Sequence, residues 1–117
     1  MLTKQELGKK GEWLAKQYLE RKGYQIIAQN FRCLQGEIDI IAEENDELIF
    51  IEVKTRSTLW YGMPAEAVNK PKQKHIIKAA KYYLYRTQQE NRCIRFDVME
   101  MYINQTGVKI HHIKQIL

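Results

Sequence analysis

The chain has 117 residues, enough for one domain with a substantial core. Its 44% hydrophobic and 28% charged residues are typical of a soluble globular protein, and no apolar stretch approaches membrane-spanning length. Lysine and arginine number 19 against 14 acids. This excess favours a polyanionic partner such as nucleic acid.

The first residues contain no apolar signal core, so we expect the protein to stay in the cytoplasm and away from membranes. The two cysteines, Cys33 and Cys93, stand in different segments and are expected to be reduced thiols. No Cys or His spacing is typical of zinc binding, and no motif indicates a small-molecule cofactor.

A first helix is predicted over residues 3–22, because an apolar stripe that begins at Leu7 recurs at helical spacing. Thr3 and Glu6 have the spacing of a capping box, in which each side chain accepts the backbone N–H of the other residue. Gly23 is expected to end the helix.

Glu12 lies at the border of this apolar stripe, at about 100° of rotation per residue. It can form a surface ion pair with Lys16 one turn later. Alternatively, its carboxylate reaches toward a functional site beside the helix. Helix geometry favours the ion pair.

A first strand is predicted from residue 24 to residue 31, with Asn30, Arg32 and Gly36 in or near the turn that follows. Arg32 is either an ordinary surface arginine or a phosphate contact, because it adjoins the charged end of the next two strands.

Residues 36–54 are predicted to form a β-hairpin, because two runs rich in β-branched residues flank the polar pair Asn45 and Asp46. A two-residue loop pairs Glu44 with Glu47 and fixes the register of the strands. The opposing pairs that follow are Phe50 and Ile41, Glu52 and Asp39, and Lys54 and Glu37.

Side chains alternate along the strands, which gives this hairpin two faces. The face expected to be buried is wholly apolar and consists of Ile38, Ile40, Ala42, Ile49, Ile51 and Val53. The other face is apolar near the turn. At its far end it carries Glu37, Asp39, Glu52 and Lys54.

Asp39 and Glu52 are thus like charges in opposing positions, which destabilises a sheet unless a cation lies nearby. The cation is either Lys54 or a metal ion, since Mg²⁺ prefers oxygen ligands. Spacing alone supports a metal site and a solvent-exposed polar end of the hairpin stabilised by Lys54 equally.

A loop is predicted after Lys54, carrying Arg56, Trp60 and Tyr61, with a helical turn over residues 64–69. Its aromatic side chains either stack on unpaired bases or anchor the loop to the core, and the anchoring role is favoured. Loops at reactive strand ends are a common place for substrate contact.

A second helix is predicted from Pro71 to about Gln88, with an apolar stripe that includes Ile76 and Leu84. Gln73 lies on its first turn, where a side chain can point toward the site. Lysines line or adjoin another side of this helix: Lys70, Lys72, Lys74, Lys78 and Lys81. They form either an ordinary solvated face or a track for a phosphate backbone.

Two strands are predicted to close the chain, over residues 93–103 and 108–113. Asp97 is expected to be structural, pairing with Arg95 or with a helix end. Three histidines show no metal-ligand spacing and are interpreted as surface or packing residues: His75, His111 and His112.

The predicted order α-β-β-β-α-β-β describes one domain over residues 1–117. The helical crossover between the third and fourth strands predicts a parallel pair within a mixed five-stranded sheet. Helices are expected on both faces, which makes a three-layer α/β/α architecture.

Asp39, followed on the next strand by Glu52-Val53-Lys54, resembles the (P)D…(D/E)xK signature of restriction-endonuclease-like nucleases, with Ile38 in place of the proline. Nearly the whole chain is similar to the bacterial YraN-type family of uncharacterised, predicted endonucleases. The matching segments are Gly11-Glu12, Asn30-Phe31-Arg32, residues 36–42, residues 51–56, Gly62-Met63-Pro64, Lys70 and residues 95–98.

The resemblance implies a fold similar to that of Holliday-junction resolvases. It also implies that Asp39 and Glu52 bind Mg²⁺ or Mn²⁺, that Lys54 orients or activates the attacking water, and that Glu12 is an accessory acid. The backbone carbonyl of Val53 would complete the inner sphere. Glu37 and Gln73 are possible accessory positions.

The leading hypothesis is a metal-dependent DNA endonuclease, with branched or damaged DNA as a candidate substrate. The alternatives are a non-catalytic nucleic-acid-binding module and a protein-interaction domain with an internal salt bridge. By analogy with resolvases, a homodimer is one expectation. The expected nucleic-acid contacts are Arg32, Arg56, Lys70, Lys74 and Lys78.

Overall fold

The computed structural model describes residues 2–57 and 70–117, without the side chains of residues 70–72. The predicted aromatic loop with Trp60 and Tyr61 and the helical turn over residues 64–69 lie outside the described residues. The elements are α1 (Lys4–Arg21), β1 (Gln25–Cys33), β2 (Gly36–Glu44), β3 (Glu47–Arg56), α2 (Lys70–Arg86), β4 (Cys93–Asn104) and β5 (Gly107–Ile113).

The five strands form one mixed sheet in the order β1-β2-β3-β4-β5. β3 and β4, which α2 connects, are parallel, and the other neighbours are antiparallel. This confirms the predicted element order and the parallel pair. Neither of the two helices in the described part of the chain is long and apolar enough to cross a membrane.

α1 begins where its sequence predicts. The Thr3 side chain accepts the Glu6 N–H at 3.0 Å, and Glu6 Oε1 accepts the Thr3 N–H at 3.1 Å, which confirms the capping box. After the helix, Gly23 has a φ of 94°, a left-handed value that glycine adopts without steric cost.

The hairpin turn has the predicted two-residue length. Asn45 and Asp46 have φ values of 51° and 64°, as a type I′ turn requires, and Glu44 is partnered with Glu47. The ladder then continues through the predicted partners to its last two pairs, Ile41 with Phe50 and Ile40 with Ile51.

The sheet has an apolar core on each side, and a helix covers each core. On the α1 side, Ala15 and Leu19 pack on sheet residues that include Ile40 and Ile51. On the α2 side, a second cluster brings the helix onto Ile41 and Phe50. The three-layer α/β/α architecture is therefore confirmed.

One expected face of the hairpin is wrong at its far end. Ile38 was expected to share the face of Ile40, but it packs in the α2-side cluster with Ile41 and Phe50. The alternation of side chains therefore breaks between Ile38 and Ile40, at Asp39.

The break in β2 lies opposite an irregular residue in β1. Asn30 has a φ of 52°, a left-handed conformation that asparagine tolerates better than most residues. It stands between the partner pairs Gln29–Ile40 and Phe31–Ile38, opposite Asp39. A left-handed residue at this point changes the face of the sheet on which the following side chains of β1 lie.

The predicted limits of several elements differ from the observed ones by a few residues. β1 continues to Cys33, so that Asn30 and Arg32 lie inside the strand rather than in the turn, and β3 continues to Arg56. α2 ends at Arg86 rather than near Gln88, which has a left-handed φ of 57°.

A buried ionic network joins β4, β5 and the start of β1. Arg95 donates to Asp97 through Nε at 2.9 Å and Nη2 at 2.8 Å, which confirms the predicted pair, and Nη2 also donates to the Tyr24 hydroxyl. His112 Nε2 lies 2.7 Å from Asp97 Oδ2, and the Gln115 N–H donates to Oδ1. His112, interpreted as a surface or packing residue, is therefore a buried polar partner.

We predict that Gly11→Ala destabilises the protein by about 1–3 kcal/mol, because a Cβ on Gly11 would overlap the Thr55 hydroxyl and force α1 away from β3. Gly8→Ala on the same helix is the control. Nothing lies within 4 Å of a Cβ there, so it should stabilise by about 0.5–1 kcal/mol. Urea unfolding measures both, and equal effects would contradict the close helix–strand contact.

We predict that Asp97→Asn costs about 3 kcal/mol at pH 7, because it removes the nearer of the two carboxylates that pair with the buried Arg95 guanidinium. The hydrogen bonds from His112 and Arg95 outweigh burial and hold the pKa of Asp97 below its ordinary 3.8. The stabilising charge is thus fully present above pH 3.8 and is lost as the pH falls through the lower folded-state pKa.

The difference in unfolding free energy between wild type and Asp97→Asn should therefore shrink as the pH falls below 3.8. Asp46→Asn, in the exposed hairpin turn, is the matched control and should change little at any pH. A gap that stays constant on acidification would show that the charge of Asp97 is not what stabilises the network.

Candidate active site

The β2–β3 ladder ends beyond the Ile40–Ile51 pair. Past this point the Val53 N–H donates to Asp39 Oδ2 at 2.8 Å, so a side chain takes a position that a ladder carbonyl would occupy in a longer hairpin. The predicted ladder pairs Asp39–Glu52 and Glu37–Lys54 are not formed. Asp39 is instead fixed beside the backbone that links Glu52 to Lys54.

Asp39 is half-buried and surrounded by other acids. Its pKa is raised from 3.8 to about 6, chiefly by burial and then by the negative charges of Glu12, Glu52 and Glu37. Only the hydrogen bond from Val53 acts in the opposite direction. The structure therefore brings together the predicted acids of α1, β2 and β3.

Glu12 faces this group of acids from α1. Burial raises its pKa, a hydrogen bond with the Asn30 side chain lowers it, and the charge of Glu37 raises it again. These neighbours belong to β1 and β2, so they support the interpretation of Glu12 as a carboxylate directed at the site rather than as a surface partner of Lys16.

Asn30 is a site residue that the sequence reasoning missed. The sequence patterns placed it only in or near a turn and in the family resemblance, yet it contacts Glu12 and adopts the left-handed conformation opposite Asp39. An asparagine inside a strand pattern, where β-propensity is low, was the available signal.

Glu52 is buried, with 9% of its surface exposed, and its sheet partner on β4 is Val98. Lys54 follows two residues later, and its partner on β4 is Glu100. Lys54 therefore does not oppose Glu37, as the hairpin register predicted. Glu37 is instead partnered with Arg32 on β1, with 3.2 Å between Oε2 and Nε in an exposed ion pair.

Glu100 is a second residue that the sequence reasoning missed. Its side chain is 1% exposed, Oε2 lies 3.6 Å from Arg56 Nε, and Oε1 lies 3.3 Å from His111 Nδ1. Arg56, predicted to lie in a loop, is thus held against the sheet beside Lys54. His111, interpreted as a surface or packing residue, is half-exposed and contacts this buried carboxylate.

The remaining predicted nucleic-acid contacts lie on α2. Lys74 and Lys78 are exposed, Gln73 is half-buried, and the side chain of Lys70 lies outside the description. The start of α2 lies close to the start of β2, because a Cβ on Gly36 would stand 3.2 Å from the backbone oxygen of His75. The lysines at the start of α2 therefore lie near the acids of the candidate site.

Within residues 2–57 and 73–117, no three His, Cys, Asp or Glu side chains form a cluster that would hold a metal ion unaided. Mg²⁺ is usually bound through one or two carboxylates, with water and substrate phosphate as the other ligands. The carboxylates of Asp39 and Glu52 with the Val53 carbonyl are an all-oxygen donor set of this kind, so their chemistry fits Mg²⁺.

The comparison with known families gives one match over most of the chain. The profile of the uncharacterised protein family UPF0102 matches residues 11–101, which include every candidate site residue. The chain belongs to this family. The expected relation to the YraN-type family is thereby confirmed, whereas the UPF0102 description carries no activity.

UPF0102 proteins from several bacteria are similar to this chain over nearly their full length. One from Caldicellulosiruptor saccharolyticus is 46% identical over 103 residues, covering 88% of this chain and 87% of its own. One from Geobacter metallireducens is 46% identical over 112 residues, covering 96% and 92%. One from Caldanaerobacter subterraneus is 40% identical over 116 residues, covering 99% and 95%.

We predict that Asp39→Asn stabilises this UPF0102 protein at pH 7 and above in the presence of a chelator. The folded-state pKa of Asp39, about 6, exceeds its ordinary value of 3.8, so the folded protein binds the proton more tightly than the unfolded chain does. Ionising Asp39 therefore lowers stability as the pH rises through this window. Asparagine avoids that cost and keeps an acceptor for the Val53 N–H.

The expected gain is about 1–3 kcal/mol above pH 6 and little near pH 4. Urea unfolding across this pH range measures it, with Asp46→Asn in the exposed turn as the control. A variant less stable than wild type at pH 8 would show that the acids do not repel one another as their positions imply.

Proposed function

We propose that the protein is a metal-dependent endonuclease that hydrolyses phosphodiester bonds of DNA. One observation carries the proposal: Asp39 is held at the end of the β2–β3 ladder among Glu12, Glu37 and Glu52, and burial together with the repulsion of these acids raises its pKa to about 6. Such a group of acids destabilises a folded chain, and strongly shifted pKa values of this kind are typical of functional sites. A divalent cation relieves the repulsion.

The ion would be held by Asp39, Glu52 and the carbonyl of Val53. When bound, it supplies charge neutralisation at a phosphate and lowers the pKa of a coordinated water. The Val53 N–H orients Asp39 through one of its two oxygens, which fixes the carboxylate before any ligand arrives. This arrangement suits a site that must be in place when the substrate binds.

Two other side chains would act on the reacting groups. Lys54, two residues after Glu52 on β3, is the ammonium group of the signature and would stabilise the negative charge that develops on the phosphate. Glu12 approaches from α1, and burial raises its pKa, so its carboxylate can exchange a proton with water nearer to neutral pH.

The exposed lysines of α2 support DNA as the substrate. Lys74 and Lys78 lie one helical turn apart, on a helix whose first turns adjoin β2 near the acids. Phosphate contacts of this kind position a duplex without reading its sequence. The chain as a whole carries a formal charge of +5, which favours approach to a polyanion.

The second candidate is a non-catalytic nucleic-acid-binding module on the same fold. It is favoured by the lack of a self-sufficient metal cluster in the described part of the chain and by the ion pair that already satisfies Glu37. This candidate requires DNA affinity but no metal. The two proposals therefore differ in whether the acids of the site bind a metal ion.

We predict that the purified protein cleaves DNA with Mn²⁺ or Mg²⁺, and that Asp39→Asn and Glu52→Gln each lower the rate at least about 100-fold because each removes a ligand charge. The assay uses linear, nicked, flapped and four-way DNA. Glu44→Gln, which removes a carboxylate at the opposite end of the same hairpin, is the matched control and should retain activity.

Calorimetric titration with Mn²⁺ separates the two candidates. The nuclease requires one binding event that Asp39→Asn and Glu52→Gln both abolish and Glu44→Gln preserves. If the wild type binds no Mn²⁺ and cleaves none of the DNA panel, yet retains salt-sensitive DNA affinity, then the binding module is the correct function.

A further inference from the structure

An open groove lies between the turn that joins β1 to β2 and the second half of α2. Its volume is about 800 Å³, larger than a single nucleotide needs. The lining residues include two arginines and no aspartate or glutamate: Ala28, Phe31, Arg32, Cys33, Leu34, Gln35, Tyr82, Tyr83, Arg86 and Thr87. The groove is therefore aromatic and cationic.

The aromatic rings of this groove are held in fixed positions. Phe31 stacks on Tyr83 with 5.2 Å between ring centroids, and Tyr82 lies 6.4 Å from Phe31. Arg86 donates from Nη1 to the Tyr82 hydroxyl at 2.9 Å and lies over its ring. Aromatic rings and guanidinium planes arranged in this way are the surfaces on which unpaired bases stack.

Leu34 stands at the tip of the turn, and its side chain is fully exposed, at 102%. Single exposed leucines are common and need no function by themselves. This one, however, projects beside a cationic, aromatic groove at the end of a two-residue turn. Apolar side chains in such positions insert between base pairs and separate them.

The groove adjoins the candidate active site through Arg32. Arg32 lines the groove and pairs with Glu37, which is one of the acids around Asp39. Phe31 is the ladder partner of Ile38, the residue directly before Asp39. A strand held in the groove would therefore lie next to the acids.

We propose that this groove binds an unpaired nucleobase of a DNA strand next to the site of cleavage, with Leu34 as the wedge that ends the adjoining duplex. The inference rests on the proposed function and specifies its substrate class as DNA in which paired and unpaired segments meet. The bases stack on Tyr82 and Phe31, and the two arginines neutralise the flanking phosphates.

A second copy of this chain is the competing occupant. Docking two copies through the same groove by a two-fold axis would bring Arg32 and Arg86 of each copy toward those of the other. Glu37 pairs with Arg32 beside the groove, but no acid among the lining residues would compensate Arg86. Charge complementarity thus favours a polyanion with exposed bases over self-association.

The test measures binding by fluorescence anisotropy in a Glu52→Gln background and without divalent ions, so that cleavage plays no part. The probes are a short duplex and the same duplex with an unpaired flap that carries 2-aminopurine. We expect the protein to bind the flapped probe about tenfold more tightly, as one stacked base implies, with quenching of 2-aminopurine.

Tyr82→Ala and Leu34→Ser should each remove most of this preference while leaving affinity for the plain duplex unchanged. Tyr82→Phe keeps the stacking ring and should retain the preference. Tyr85→Ala is the matched control, because Tyr85 is 66% exposed on the same helix outside the groove. Thermal unfolding of each variant verifies that it folds.

Three results would overturn the proposal. The wild-type groove could show no preference for the flapped probe, or the preference could survive both Tyr82→Ala and Leu34→Ser. Alternatively, sedimentation could show a dimer that these two substitutions dissociate, which would identify a second copy as the occupant. A protein that binds flaps through the groove but never cleaves them would refute only the nuclease proposal.

Discussion

The candidate site depends on the hydrogen bond from the Val53 N–H to the carboxylate of Asp39. It forms where the β2–β3 ladder stops, and it holds a carboxylate among three others that repel it. A backbone donor of a buried strand is a rigid partner, so it can keep the acid in a position that is unfavourable without a cation. In the proposed function, a divalent ion would relieve this repulsion.

The rest of the fold maintains this arrangement from both sides of the sheet. The close approach of Gly11 to Thr55 seats α1 against β3 and thereby brings the neighbouring Glu12 to the site. The left-handed Asn30 contacts Glu12 and interrupts the alternation of β1 opposite Asp39. The helix, the irregular strand and the ladder end therefore act together, and none of them alone would create the site.

Sequence patterns sufficed for the features that depend on local spacing. The capping box and the Asn45-Asp46 turn fixed a helix start and a hairpin register, because each depends on residues a few positions apart. Sequence patterns failed where the position of a side chain depends on a residue far away in the sequence. The break at Asp39 lies opposite Asn30 in another strand, and only the sheet shows that Glu100 lies beside Lys54 and Arg56.

Membership of the uncharacterised UPF0102 family leaves the chemistry to be tested. The most direct test is the anomalous scattering of a crystal soaked in Mn²⁺ at neutral pH. The account predicts one strong peak between the carboxylates of Asp39 and Glu52, within bonding distance of the Val53 carbonyl, and no such peak in Asp39→Asn. A crystal soaked in saturating Mn²⁺ that shows no ion between these two carboxylates would contradict the account.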